Sequence, residues 1–300
     1  MMKKTVFCGS ATAVVTPFSG GAVDYFSFER LILRQIESGA DGIVVCGTTG
    51  EASTLSSEEQ AEVIRFAVSV VDGRIPLIAG TGSNDTATAC KRTRNATEAG
   101  ADGVLVVTPY YNKATQRGLV YHYEAVAAST DLPVILYNVP TRTCVDVSVD
   151  TYEKLASVEN IAGVKEASPD IVKIGDIIRR CGDSLPVYSG NDDMALPIIF
   201  LGGKGVISVA GNLIPGEMYA LCRAALSGDY RLAVELHMKY LPLMRGLFCT
   251  VNPIAVKTAL HMMGFCRGEF RLPMCEPDGD VLEKIKKLLV DYRLIQPAKG

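Results

Sequence analysis

Residues 38–51 read SGADGIVVCGTTGE, and residues 99–111 read AGADGVLVVTPYY. Each stretch opens through Gly-Ala-Asp-Gly, crosses four apolar residues and ends in small polar or aromatic ones. The glycine before each run suits a helix C-cap, and the aspartate suits a tight turn. Apolar runs this short and this rich in valine are expected of strands buried on both faces.

The same rhythm recurs outward along the chain. It appears at residues 9–18 (GSATAVVTPF), 75–82 (IPLIAGTG), 132–140 (LPVILYNVP), 161–168 (IAGVKEAS), 185–192 (LPVYSGND) and 204–211 (KGVISVAG), which makes eight units. Helical patterns lie between them. In residues 56–73 (SSEEQAEVIRFAVSVVDG), Ser56 or Ser57 is placed to cap and Glu58 and Glu59 suit a positive helix start. In residues 84–100 (NDTATACKRTRNATEAG), Asn84 is placed to cap and Gly100 to end the helix. Eight strands alternating with helices predict an α/β fold, a TIM (β/α)8 barrel. A doubly wound open sheet is the alternative, and it usually carries a nucleotide loop. AGTGSND (79–85) lacks the third glycine of that loop, and LGGKGV (201–206) is not a P-loop, so both read as turns. From about Ala220 helical patterns follow one another without strands, ending in GDVLEKIKKLLVDYRL (279–294). The division expected is a catalytic barrel over 1–225 and a C-terminal helical region over 226–300.

Composition narrows the function. With 48% hydrophobic and 21% charged residues a large core is expected. A net charge of −3 and no basic block argue against nucleic acid. No apolar stretch reaches the length of a membrane span, and the N-terminus reads as a first strand rather than a signal peptide. The nine cysteines are odd in number and form no C-x-x-C pair, which fits reduced thiols and a cytoplasmic protein. His122, His237 and His261 are scattered, so no metal and no cofactor is expected.

In such barrels chemistry gathers at the C-terminal ends of the strands. Those ends carry Thr48, Thr49 and Glu51; Tyr110 and Tyr111; Tyr137 and Arg142; Lys165; and Gly190. A rim lysine is most simply an ion-pairing residue, with Glu166 as the obvious partner. Alternation along the strand, however, puts Val164 and Glu166 outward and Lys165 inward. A lysine held among apolar walls loses proton affinity, and its neutral amine attacks a ketone to form a Schiff base. Hydroxyls of Thr48, Tyr111 and Tyr137 are candidates to pass protons. The glycine-rich turn at 47–51 suits a carboxylate, and Arg142 suits a second one.

Together GTTGE (47–51), TPYY (108–111), YNVPTRT (137–143) and GVKEAS (163–168), with NPIAVK (252–257) near the end, resemble the dihydrodipicolinate synthase family. That family belongs to the pyruvate-dependent class I aldolases, with N-acetylneuraminate lyase. Thr141 departs from its usual small residue at that place, while Arg142 is kept. The resemblance implies that pyruvate and L-aspartate 4-semialdehyde are the reactants, joined through a Lys165 Schiff base into 4-hydroxy-tetrahydrodipicolinate for diaminopimelate and lysine synthesis. It implies that Tyr137 shuttles protons and that Thr48 links it to Tyr111, which a neighbouring subunit delivers. Thr49 and adjacent backbone would bind the pyruvate carboxylate, and Arg142 that of the semialdehyde. Backbone at Gly190 and Ile207 would line the cavity. A homodimer at least, and more fully a homotetramer, is implied.

The nearest rival is a sister pyruvate aldolase acting on sialic or 2-keto-3-deoxy sugar acids. The threonine pair in GTTGE and the arginine of NVPTRT favour the synthase. A metal-dependent aldolase lacks a ligand set here, and a non-catalytic keto-acid sensor is disfavoured by the full lysine, tyrosine and threonine set. For feedback by L-lysine, Asn84 and Tyr110 match lysine-sensitive relatives as allosteric candidates. Ser57 and Gln60 replace histidines and Thr88 replaces a glutamate, so weak or absent inhibition is expected.

Overall fold

The computed structural model describes residues 5–297. Eight parallel strands close on themselves in sequence order: β1 Gly9–Ala13, β2 Gly42–Val45, β3 Leu77–Gly80, β4 Gly103–Val107, β5 Val134–Asn138, β6 Ile161–Glu166, β7 Val187–Ser189 and β8 Gly205–Ser208. Closure is made where Gly9 pairs with Gly205. The first unit is shorter than its apolar run. After β1 the chain leaves the barrel, and Phe18–Ser19 pairs with Ala22–Val23 in a small antiparallel hairpin.

The helices of the barrel are α1 Tyr25–Glu37, α2 Ser57–Val71, α3 Thr86–Glu98, α4 Gln116–Ala127, α5 Val149–Leu155, α6 Ile171–Cys181, α7 Ala195–Phe200 and α8 Pro215–Ser227. A single further turn, Pro140–Thr143, follows β5. Their starts follow from side-chain oxygens that satisfy exposed backbone N–H groups. Ser56 and Glu59 form a reciprocal capping box on α2. On α3 the cap is Asp85, not Asn84, its carboxylate accepting from Thr88 N at 2.7 Å. An ionised oxygen at a helix start also gains from the helix dipole, an advantage the amide lacks. Gly100 follows α3 at φ +89°, the left-handed position expected of it.

Two apolar layers result. Val45, Val106, Leu136, Val164 and Val206 point outward and pack beneath the helices. Ala11, Val44, Ile78, Leu105, Ile135, Tyr188 and Ile207 fill the interior. After α8 come α9 Tyr230–Gly246, α10 Ile254–Met262 and α11 Gly279–Asp291. Residue 225 lies inside α8, so the change of texture there falls within the barrel's last helix. None of the described helices is long and apolar enough to cross a membrane.

Candidate active site

Lys165 faces into the barrel because of an irregularity in its strand. Val134 pairs with Ile161, but Ile135 pairs with Gly163, so Ala162 is an extra residue. Such a bulge re-phases all that follows. Ile161 and Val164 both lie in the outer layer, which strict alternation over three residues forbids. The slip places Gly163 and Lys165 inward. Gly163 is required beneath the neighbouring strand, since a Cβ there would lie 3.1 Å from the Tyr188 ring and 2.9 Å from the Pro186 carbonyl.

Glu166 then points away from Lys165, so the two do not pair. Its buried carboxylate accepts from Asn138 Nδ2 at 2.9 Å, Tyr152 Oη at 2.8 Å and Ser168 N at 2.8 Å. These bonds offset the cost of taking a charge out of water. Among the described residues Lys165 has no such partner. It is 5% exposed, and its Nζ sits 4.3 Å from the centre of the Tyr137 ring. Burial pushes its pKa down from 10.5 to about 8, against the pull of Asp192 and with help from the Arg142 charge.

The turn after β2 supplies the opposite wall. Cys46 and Glu51, both left-handed at φ +53°, bracket Gly47–Gly50. The turn is held by Gly50 N to Gly47 O at 3.1 Å and Glu51 N to Thr48 O at 3.1 Å. The N–H groups of Thr48 and Thr49 take no partner among the described residues. Two such amides beside the Thr49 hydroxyl make a cradle for a carboxylate. Thr48 reaches the Tyr137 phenol in a hydrogen bond, and burial raises the pKa of that phenol, keeping it protonated.

Lys165, Tyr137, Thr48, Thr49, Arg142 and Gly190 line one cavity of about 210 Å³. At Gly190 a side chain would be excluded, because a Cβ would lie 2.6 Å from that of Ala167. Ile207 is fully buried in the barrel interior, and Val209, two residues on, is the β8-side residue in the cavity wall. Tyr111 is not brought to the cluster. It stands 89% exposed at φ +73°. Tyr110 borders a neighbouring chamber, and Asn84 borders neither, its carbonyl accepting from Asn112 Nδ2 at 2.8 Å.

Two contributions escape the sequence reading. Asp192 is buried, and its Oδ2 accepts from Val209 N at 3.0 Å and Ala210 N at 2.9 Å. Burial raises its pKa, and Lys165 pulls it back down. The C-terminal region also enters the site. Asn252 Nδ2 donates to Thr49 Oγ1 at 3.0 Å, and its carbonyl accepts from Arg142 at 3.1 Å. Behind the turn, Lys257 of α10 makes a buried 2.6 Å ion pair with Glu51, its Nζ 4.0 Å from the centre of the Phe18 ring. Asn252 and Lys257 are the first and last residues of NPIAVK, but nothing in their spacing ties them to residues about 200 positions away.

Comparison with known proteins gives a consistent result. The model of the dihydrodipicolinate synthetase family matches residues 6–291. A 4-hydroxy-tetrahydrodipicolinate synthase of Aquifex aeolicus is 51% identical over 290 residues, covering 96% of this chain and 99% of its own. A crystal structure of dihydrodipicolinate synthase from Aquifex aeolicus superposes with a TM-score of 0.94 at 49% identity, over 96% of this chain and 99% of that one. A structure described as the first monomeric dihydrodipicolinate synthase variant superposes at 0.95 and 42% identity, covering 97% and 98%.

Proposed function

Because the chain belongs to the dihydrodipicolinate synthetase family, we infer that it condenses pyruvate with L-aspartate 4-semialdehyde to 4-hydroxy-tetrahydrodipicolinate, a step toward diaminopimelate and lysine. The observation that carries the mechanism is the state of Lys165: buried, inward, held near pKa 8 and set over Tyr137. At pH 7.5 a lysine of pKa about 8 is roughly one-quarter neutral, against about 0.1% for an ordinary one. That gain of two orders of magnitude in free amine is what imine formation needs.

Pyruvate enters with its carboxylate on the Thr48 and Thr49 amides, which brings its keto carbon toward Lys165. The amine adds to that carbon, and loss of the oxygen as water requires a proton. Tyr137 is the donor, since its phenol is protonated and beside the lysine. The imine gives up a methyl proton to become an enamine, whose carbon attacks the aldehyde of the second substrate. Arg142, at the mouth of the same cavity, holds that substrate's carboxylate. The substrate's own amino group then displaces Lys165, closing the ring and freeing the enzyme.

Tyr111 is assigned to the relay of a neighbouring subunit. An aromatic 89% exposed in a left-handed conformation is costly without a second surface to hold it. The working assembly is thus a dimer at least, with a tetramer as its fuller form, and the compartment is the cytoplasm. The division expected at 225/226 falls within α8, so the barrel is taken through the end of that helix at Ser227, with Asn252 and Lys257 binding the helical region after it to barrel chemistry. The test of substrate is direct: pyruvate supplied with L-aspartate 4-semialdehyde should turn over. Turnover only with a sugar-acid aldol product would assign the chain to its sister aldolases.

A further inference from the structure

The turn that carries Thr48 and Thr49 ends at Glu51, and the C-terminal region holds Glu51 from behind. Its side chain and that of Lys257 are 1% and 0% exposed. Glu51 Oε1 accepts from Lys257 Nζ at 2.6 Å, and its Oε2 accepts from Arg271 N at 3.4 Å. Both carboxylate oxygens are thus taken by chain more than 200 residues further on. The rings of Phe18 and Phe270 close over the lysine, their centres 4.0 and 5.2 Å from its Nζ. Just before α10, Asn252 donates to Thr49 Oγ1 at 3.0 Å. One short segment therefore grips the turn at two points, Thr49 and Glu51. Neither Glu51 nor Lys257 lines the cavity that holds Lys165.

A buried ion pair contributes little stability that apolar side chains of the same shape would not, because desolvation offsets the attraction. What it adds here is direction. Glu51 is left-handed at φ +53°, a conformation a glutamate keeps only where its surroundings impose it. Its N–H donates to the Thr48 carbonyl at 3.1 Å, so a shift of Glu51 passes straight to Thr48. We propose that Glu51 and Lys257 are a positioning pair for imine formation: they fix the angle of the Thr48 and Thr49 amides toward the pyruvate carboxylate while touching no substrate themselves. The proposal rests on the reading of that turn as the pyruvate cradle.

The test is borohydride trapping over a range of pyruvate concentrations, without semialdehyde, in the native protein and in the double variant Glu51→Gln/Lys257→Met. The double variant leaves no charge of the pair buried alone, so it separates the placement of the turn from the stability of the fold. A melting curve confirms that it is folded. Half-maximal labelling of Lys165 should need about tenfold more pyruvate, or greater, in the variant. The KM for pyruvate should rise in step, with the KM for semialdehyde at saturating pyruvate unchanged. Glu51→Gln alone keeps an oxygen to accept from Lys257 and should fall between, and it carries the test should the double variant not fold. A folded double variant that labels at native pyruvate concentrations would overturn the proposal. So would equal losses for both substrates, which a general loosening of the barrel produces. Failure of the native protein to label Lys165 would overturn the cradle reading and the proposal with it, an outcome seen without any variant.

Discussion

Replacing Lys165 by methionine should remove catalysis and make the protein more stable at neutral pH. The fall of the lysine from 10.5 to about 8 corresponds to about 3 kcal/mol of penalty for burying its charge. The sign follows from proton counts. Below pH 8 the lysine is protonated in both folded and unfolded chains, and the folded state carries the whole penalty. Between pH 8 and 10.5 the folded lysine is neutral while the unfolded one still binds a proton, so stability rises with pH. Methionine has similar length and no charge, so its advantage is greatest below pH 8 and fades as pH climbs toward 10.5. Part of it is lost, because Asp192 stays buried without the attraction of Lys165. A net gain of about 1–2 kcal/mol is expected at pH 7, or roughly 2–6 °C in melting temperature. Scanning calorimetry of both proteins at pH 7.0 and 9.5 measures it. A variant no more stable at pH 7.0, or an advantage that does not narrow at pH 9.5, would refute the idea that burial depresses this lysine.

Other perturbations address other parts of the site. Arg142→Ala should still trap pyruvate, while turnover at low semialdehyde falls, by the equivalent of about 2–5 kcal/mol when the bound substrate desolvates the pair; unchanged kcat/KM would remove Arg142 from substrate binding. Mixed Lys165→Ala and Tyr111→Phe chains should regain activity through hybrid dimers, and no recovery in mixtures shown to exchange subunits would place Tyr111 in its own chain's site. Lys257→Met leaves the Glu51 carboxylate buried and unpaired and should destabilise the fold by about 3–5 kcal/mol, as chemical denaturation would show. L-lysine should inhibit weakly or not at all: Ser57, Gln60 and Thr88 offer no charge to its ammonium groups, and Arg92 repels them. Sub-millimolar inhibition of initial rates would contradict that.

The barrel was legible because each of its eight strands is buried on both faces and so stands out as a short apolar run between turn residues. The inward direction of Lys165 was also legible from its immediate neighbours Val164 and Glu166. What enforces that direction was not: the extra Ala162 shows only in strand pairing, as the letters IAGVK carry no bulge signal. Thr48, Thr49, Tyr137, Arg142 and Gly190 converge as their places at strand ends required. Asp192 was overlooked because an aspartate after Ser-Gly-Asn reads as a turn, and only the loop after β8 reveals what it accepts. Asn252 and Lys257 were assigned to an appendage, since contacts spanning 200 residues leave no local trace. The cap of α3 went to the neighbouring residue because Asn84 and Asp85 both suit it, and charge decides between them.

The account stands most directly on one covalent bond. Pyruvate and borohydride, added together to the native protein, should reduce the imine to a stable adduct, seen by peptide mass spectrometry on Lys165. Lys165→Ala should lose it. An adduct on another lysine with Lys165 untouched, or no adduct in an enzyme that still turns over, would contradict the mechanism at its centre.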